Sequence, residues 1–205
     1  MKLRFILLAT AAALSGCATS MPTLPTWGAL DRTDRFTDQA ACRVTLVGAI
    51  RIDVYRGGLK YYPYVERRGS DVRVGLMAHP SFPAPTGAVQ MRIDELPAWT
   101  IDPSETPIDT AGVSTAAQIN ALMPAATDPA QAEAVRRSAA AMSDNITRTV
   151  SPYTAATGAK AREIVDQMKA GHRVIYRTLG ANAASTAGEA ALGAEFNQAL
   201  ADCGI

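Results

Sequence analysis

The spacing of the apolar residues changes partway along this chain, and that change constrains the fold more than any other feature. From about residue 42 to residue 108 apolar and polar side chains alternate. Val44, Leu46, Gly48, Ile50, Ile52 and Val54 are interleaved with Arg43, Thr45, Arg51 and Asp53, the period-two pattern of a half-buried strand. Arg56-Gly57-Gly58-Leu59 supplies a turn before residues 60–65, and residues 67–71 supply a second before Val72, Val74 and Leu76. Pro80, Pro83 and Pro85 lack the N–H that a ladder needs, so residues 79–87 read as a loop. Residues 89–94 form the clearest short strand, and residues 102–110 read as another loop.

From about residue 114 the spacing becomes helical. Ser114 is placed to cap a helix through Ala116, Ile119 and Leu122 that ends before Pro124. Asp128-Pro129 pairs an N-cap acid with a proline at the first helical position. It opens a helix to about Met142 through Ala132, Val135 and Ala139. A third helix, from Thr157 or Ala159 to Ala170, sets Ile164, Val165 and Met168 on one face and stops at Gly171. A strand follows near residues 172–178. Residues 188–202 form a last helix, with Leu192, Phe196 and Leu200 at spacing four. Strands followed by helices predict an α+β fold. The expected arrangement is one domain over residues 37–205. Its antiparallel, sandwich- or meander-like region covers 42–110, and 114–205 is mainly helical with one late strand.

The N-terminus differs from both halves. Lys2 and Arg4 precede an apolar run over residues 5–14, interrupted only by Thr10. A hydrocarbon core needs about 20 residues to be crossed, so this run is too short to span one. It fits the apolar region of a secretory signal. Leu14-Ser15-Gly16-Cys17 closes it and resembles the bacterial lipobox. That resemblance implies removal of residues 1–16, a diacylglycerol on the Cys17 sulfur and an acyl group on its new amino terminus. The alternative is ordinary secretory cleavage nearby, for instance after Ala18, with Cys17 incidental. Lipoproteins kept in the inner membrane tend to carry Asp after the Cys, so Ala18 implies the outer membrane, with its periplasmic face as the expected location. A single acyl chain anchors only marginally, at about 0.8 kcal/mol per buried CH₂, whereas two or more hold firmly. Residues 17–36 then read as a lipid-anchored flexible tether. Trp27 is its one large apolar group, docked on the domain or set at the lipid interface.

The chain has three cysteines. Lipid on Cys17 leaves Cys42 and Cys203, near the two ends of the mature chain, in an oxidising compartment. A Cys42–Cys203 disulfide is expected, and two separately buried thiols are the alternative. Closing a loop of roughly 150 residues or more contributes up to about 5 kcal/mol in the chain-entropy picture. Lys and Arg number 20 against 19 Asp and Glu, and loss of Lys2 and Arg4 leaves the mature chain close to neutral. That balance excludes a general nucleic-acid binder working by counterion release.

The chain contains no G-x-S-x-G elbow, Walker A loop, H-E-x-x-H or C-x-x-C. His79 and His172 are its two histidines. Ser81, His172 and Asp94 supply the residue types of a catalytic triad without an elbow or oxyanion signature. Asp94 and Glu95 are adjacent and point to opposite faces if the strand persists, so they read as turn residues. No catalytic residue, cofactor or metal is predicted.

Residues 55–73 draw more interest, because cations and tyrosines alternate there. Arg56, Lys60, Tyr61, Tyr62, Tyr64, Arg67 and Arg68 form a candidate contact surface that could stack on sugars or grip acidic groups. In the envelope, the matching partners are peptidoglycan, lipopolysaccharide or envelope proteins, not nucleic acid. The alternative is a hairpin whose tyrosines pack across strands and whose arginines are solvated. Asp94, Glu95, Asp102, Glu105 and Asp109 form a converse acidic stretch, whose spacing matches no EF-hand loop.

Three landmarks recur in a known order. They are residues 89–94 after a Pro/Gly loop, residues 164–171 running into Val174-Ile175-Tyr176, and Leu192-Gly193-Ala194-Glu195-Phe196-Asn197-Gln198-Ala199-Leu200. Together they resemble the exported alphaproteobacterial proteins related to invasion-associated locus B, over about half the chain. The stretch near 115–150 and the cysteine placement depart from that pattern. The resemblance implies a β-sandwich-like core, a small helix before a late strand and a role at the cell envelope, with no catalytic residues to carry over. The expected function is therefore a non-enzymatic binding or assembly module. A peptidoglycan- or glycan-acting hydrolase using carboxylates such as Asp94 is the alternative.

Overall fold

The computed structural model describes residues 26–33, 38–56, 60–108, 129–180 and 186–205. The signal segment, Cys17, the helix expected after Ser114 and the Asp128 cap lie outside the described residues.

The fold is α+β, built on two antiparallel sheets. The first has the order β1-β2-β3-β4-β7, from Gly28–Thr33, Ala40–Thr45, Tyr61–Arg68, Asp71–Ala78 and Tyr153–Ala156. The second has the order β6-β5-β8-β9, from Trp99–Ile101, Val89–Ile93, Arg173–Thr178 and Gly188–Ala191. Helix α1 is Val47–Arg56, α2 is Pro129–Thr149, α3 is Gly158–Ala170 and α4 is Ala194–Asp202. A short 3-10 turn, Pro103–Glu105, follows β6. It is closed by a reciprocal cap between Asp102 and Glu105.

Alternation along the first sheet explains its two faces. Val44, Val65, Val74 and Ala156 are cross-strand neighbours, and Cys42 and Leu76 lie two residues from them on the same face. All six are buried in one apolar cluster, which also takes Met91, Ile93 and Val174 from the second sheet. Helix α3 adds Ala161, Ile164, Val165 and Met168, and α4 adds Phe196, Ala199 and Leu200. The disulfide between Cys42 and Cys203, with Cα atoms 5.3 Å apart, ties β2 to the end of α4.

Several expectations are corrected. Residues 46–54 were expected to continue a strand, but β2 stops at Thr45 and α1 begins at Val47. A strictly alternating apolar run also contains an i, i+4 set, here Leu46, Ile50 and Val54, so it fits both periods. The helix shields Leu46 and leaves Ile52 46% and Val54 41% exposed. The expected tether, residues 17–36, contains a strand instead: Gly28–Thr33 pairs with β2 along its whole length. Trp27 docks on the domain, 3% exposed, edge-on to Phe196 and donating from Nε1 to Ala191 O at 2.7 Å. The last helix is shorter than expected, because residues 188–191 form β9. Gly188 lies so close to the Tyr176 ring that a Cβ there would meet ring atoms at 2.6 Å. Helix α2 runs beyond Met142 to Thr149, carrying the spacing on through Ile146.

Candidate functional site

The other face of the first sheet is polar, and it is also covered. Arg43, Glu66 and Arg73 stand directly opposite one another across β2, β3 and β4. Next to them run Thr45, Tyr64, Gly75 and Ala155, and then Tyr62, Met77 and Tyr153. Glu66 is 2% exposed and accepts from Arg43 Nη2 at 2.7 Å, while Arg73 Nη1 lies 3.9 Å from its second oxygen. The Arg43 guanidinium rests over the Tyr64 ring at 5.0 Å. Such a cation–π contact gains strength where water is excluded.

A cavity of about 390 Å³ opens on this face. Arg43, Glu66, Met77 and Tyr153 come from the sheet, Arg32 and Arg68 bring further cations, and Pro80, Pro83 and Pro152 close the sides. Three guanidinium groups thus face one carboxylate among its charged walls. The volume lies at the lower end of the range of small-molecule sites, roughly 300–1,000 Å³.

His79 also lines the cavity, but both ring nitrogens are engaged. Nδ1 accepts from the Ser81 backbone N–H at 3.0 Å, so the proton sits on Nε2, which donates to Ile50 O at 3.0 Å. The ring is 2% exposed and locks α1 to the end of β4. Among the described residues no hydrogen bond joins Ser81 to His172. His172 instead lies by Asp94, with Nδ1 3.5 Å from the carboxylate.

Asp94 is a positive-φ turn residue, at φ 46°, and its carboxylate accepts from the backbone N–H groups of His172 and Arg173 at 2.9–3.2 Å. Those bonds hold its carboxyl below the usual carboxylate range. It therefore anchors the β5–β8 connection and is poorly suited to deliver a proton at neutral pH. Glu95 pairs with Arg92 and Arg173 at the surface, and Glu105 with Lys160. Among the described residues no three His, Cys, Asp or Glu side chains gather as metal ligands, and no helix is long and apolar enough to cross a membrane.

The structure separates the sequence-derived contact surface. Tyr61, Tyr62 and Tyr64 are all buried, so they cannot present open aromatic faces. Tyr62 donates to Asp53 at 2.9 Å, and burial raises its hydroxyl pKa and that of Tyr64. Arg56 is the last residue of α1, and Lys60 is an exposed residue just before β3. Arg67 and Arg68 are neighbours on β3 and project to opposite faces. Arg68 lines the cavity, while the Arg67 guanidinium approaches Gly204 beside the disulfide. Sequence reasoning found Arg68 but missed Arg32, Arg43 and Glu66. A cross-strand Arg–Glu–Arg ladder needs the register: the two-residue Gly69-Ser70 turn, with Gly69 at φ 60°, sets Glu66 opposite Arg73, but Arg43 meets Glu66 only through the β2–β3 pairing across α1.

Comparison of the chain with protein-family models, curated proteins and solved structures finds no match.

Proposed function

We propose that this protein is a cell-envelope lipoprotein, a non-enzymatic binding or assembly module held at the outer membrane through Cys17. Its ligand site is the arginine-walled cavity on the polar face of the first sheet. The observation that carries this reading is the cavity itself, a concave, cationic surface with the part-buried Arg43 in its wall. The lipobox-like residues 14–17 support export and lipidation, and the Cys42–Cys203 pairing fits an oxidising compartment. The residence at the periplasmic face of the outer membrane rests on Ala18 after the lipidated Cys.

Two experiments test it. Globomycin blocks the lipoprotein signal peptidase, so the precursor should accumulate in treated cells, and unchanged processing would refute lipidation. Retention of the purified protein on peptidoglycan sacculi and on lipopolysaccharide tests the site. Arg68→Ala should weaken retention and Arg67→Ala, on the opposite face, should leave it intact. Equal retention of wild type and Arg68→Ala would reject the cavity.

A further inference from the structure

Arg43 is underused. A guanidinium carries five N–H donors in a planar fork. In Arg43, Nη2 donates to Glu66 Oε1 at 2.7 Å, and Nη1 reaches the Met77 sulfur, a weak acceptor, at 3.5 Å. Its Nε is buried with no hydrogen-bond partner among the described residues. Natural interiors seldom leave such a donor without a partner. The Tyr64 ring covers one face of the guanidinium. The unfilled directions therefore lie in its plane, where a carboxylate can accept two parallel bonds. The side chain is 14% exposed and forms part of the cavity wall, so a ligand can reach the guanidinium although Nε itself is shielded from water.

Glu66 limits negative charge at Arg43 itself, while Arg32 and Arg68 keep the cavity cationic overall. The Glu66 carboxylate already sits on the same guanidinium and is almost fully shielded from water. A second negative charge on a ligand would lie close to that carboxylate in a weakly screened setting. A monoanion meets less of this repulsion than a phosphate dianion. Ligand size is limited by the cavity of about 390 Å³, which suits an acid of sugar or dipeptide dimensions. Met77, Tyr153 and the prolines offer apolar surface to the body of such a molecule.

We infer that the cavity binds a small monocarboxylic acid, whose carboxylate docks on the exposed part of the Arg43 guanidinium, with Arg68 beside it. This deepens the proposed function and rests on the cavity being the binding site.

Calorimetric titration of the mature, disulfide-bonded protein tests it with four probes. These are N-acetylmuramic acid, N-acetylalanine, the neutral N-acetylglucosamine and glucose 1-phosphate. The two carboxylic acids should bind, and the neutral sugar should not. Arg43→Lys keeps a cation opposite Glu66 but loses the fork, and should bind at least about tenfold more weakly at an unchanged melting temperature. If Arg43→Lys fails to fold, Arg68→Gln, in the same cavity wall, should still weaken binding of the acids. Equal binding of N-acetylglucosamine, or tighter binding of glucose 1-phosphate, overturns the carboxylate assignment. Failure of both acids to bind, with Arg68-dependent retention on sacculi intact, overturns it while the cavity stands. Loss of both results rejects the cavity as well.

Discussion

Removing the Cys42–Cys203 disulfide should loosen the whole molecule without changing its fold. The two residues are separated by 161 positions, and the bond joins β2 to the end of α4. In the chain-entropy picture a loop of that length restricts the unfolded chain by about 5 kcal/mol. Both cysteines are buried, at 6% and 1%, so alanine is a better replacement than serine, which would bury a hydroxyl. Packing of Phe196 on Trp27 and burial of Leu200 still hold α4, so Cys42→Ala/Cys203→Ala should fold. Set against a total stability of roughly 5–15 kcal/mol, the loss is large. With a urea slope of about 2 kcal/mol per molar, the unfolding midpoint should fall by roughly 2.5 M. Tryptophan fluorescence and far-ultraviolet circular dichroism would follow the transition, and dithiothreitol should move the wild-type midpoint in the same direction. A double variant that unfolds at the wild-type midpoint, or a wild type indifferent to reductant, would refute this account of the link.

Three further outcomes follow from local geometry. Trp27→Ala removes a buried ring and its bond to Ala191, and should cost about 3–5 kcal/mol by thermal or urea unfolding; a near-neutral variant would mean that Trp27 is not docked. Gly75→Ala would drive a Cβ into the Thr154 carbonyl on β7, and should destabilise by about 1–3 kcal/mol or displace that strand, as amide exchange would show. Asp94 and Asp102 are held below their ordinary carboxyl pKa by backbone N–H donors, so their contribution is present above about pH 4 and disappears as pH falls through the lower folded values. The melting temperature should drop on that acid limb, and Asp94→Asn/Asp102→Asn should flatten the slope.

The sequence was most legible where one period excluded the other. Residues 89–93 alternate over a run too short for a helix, bounded by Gly87 and the Asp94 turn, and α3 carries Ile164, Val165 and Met168 at helical spacing up to Gly171, so both elements appear as expected. Around residues 44–54 both periods fit, and contacts distant in sequence decide. Tyr62 bonds to Asp53, and His79 bonds to Ile50 O, fixing a helix against the sheet. Residues 28–33 have no apolar run to mark a strand. Their ladder to β2 and the docking of Trp27 come from tertiary pairing alone. The disulfide was legible because assigning Cys17 to lipid, as the lipobox-like residues suggest, leaves one pair of the three cysteines. The cavity was not, since it assembles Arg32, Arg43, Glu66 and Arg68 from three strands. No short motif contains all four.

The central claim is that Arg43 receives an acid in the cavity, and its own Nε–H reports on that most directly. In a ¹H–¹⁵N spectrum of the arginine side chains, the Arg43 Nε–H signal is identified by its absence from Arg43→Lys. Titration of the wild-type protein with N-acetylmuramic acid should move that signal in a saturable way, with little response to N-acetylglucosamine. An unmoved Arg43 signal, with saturable shifts clustered elsewhere on the protein, would contradict the claim.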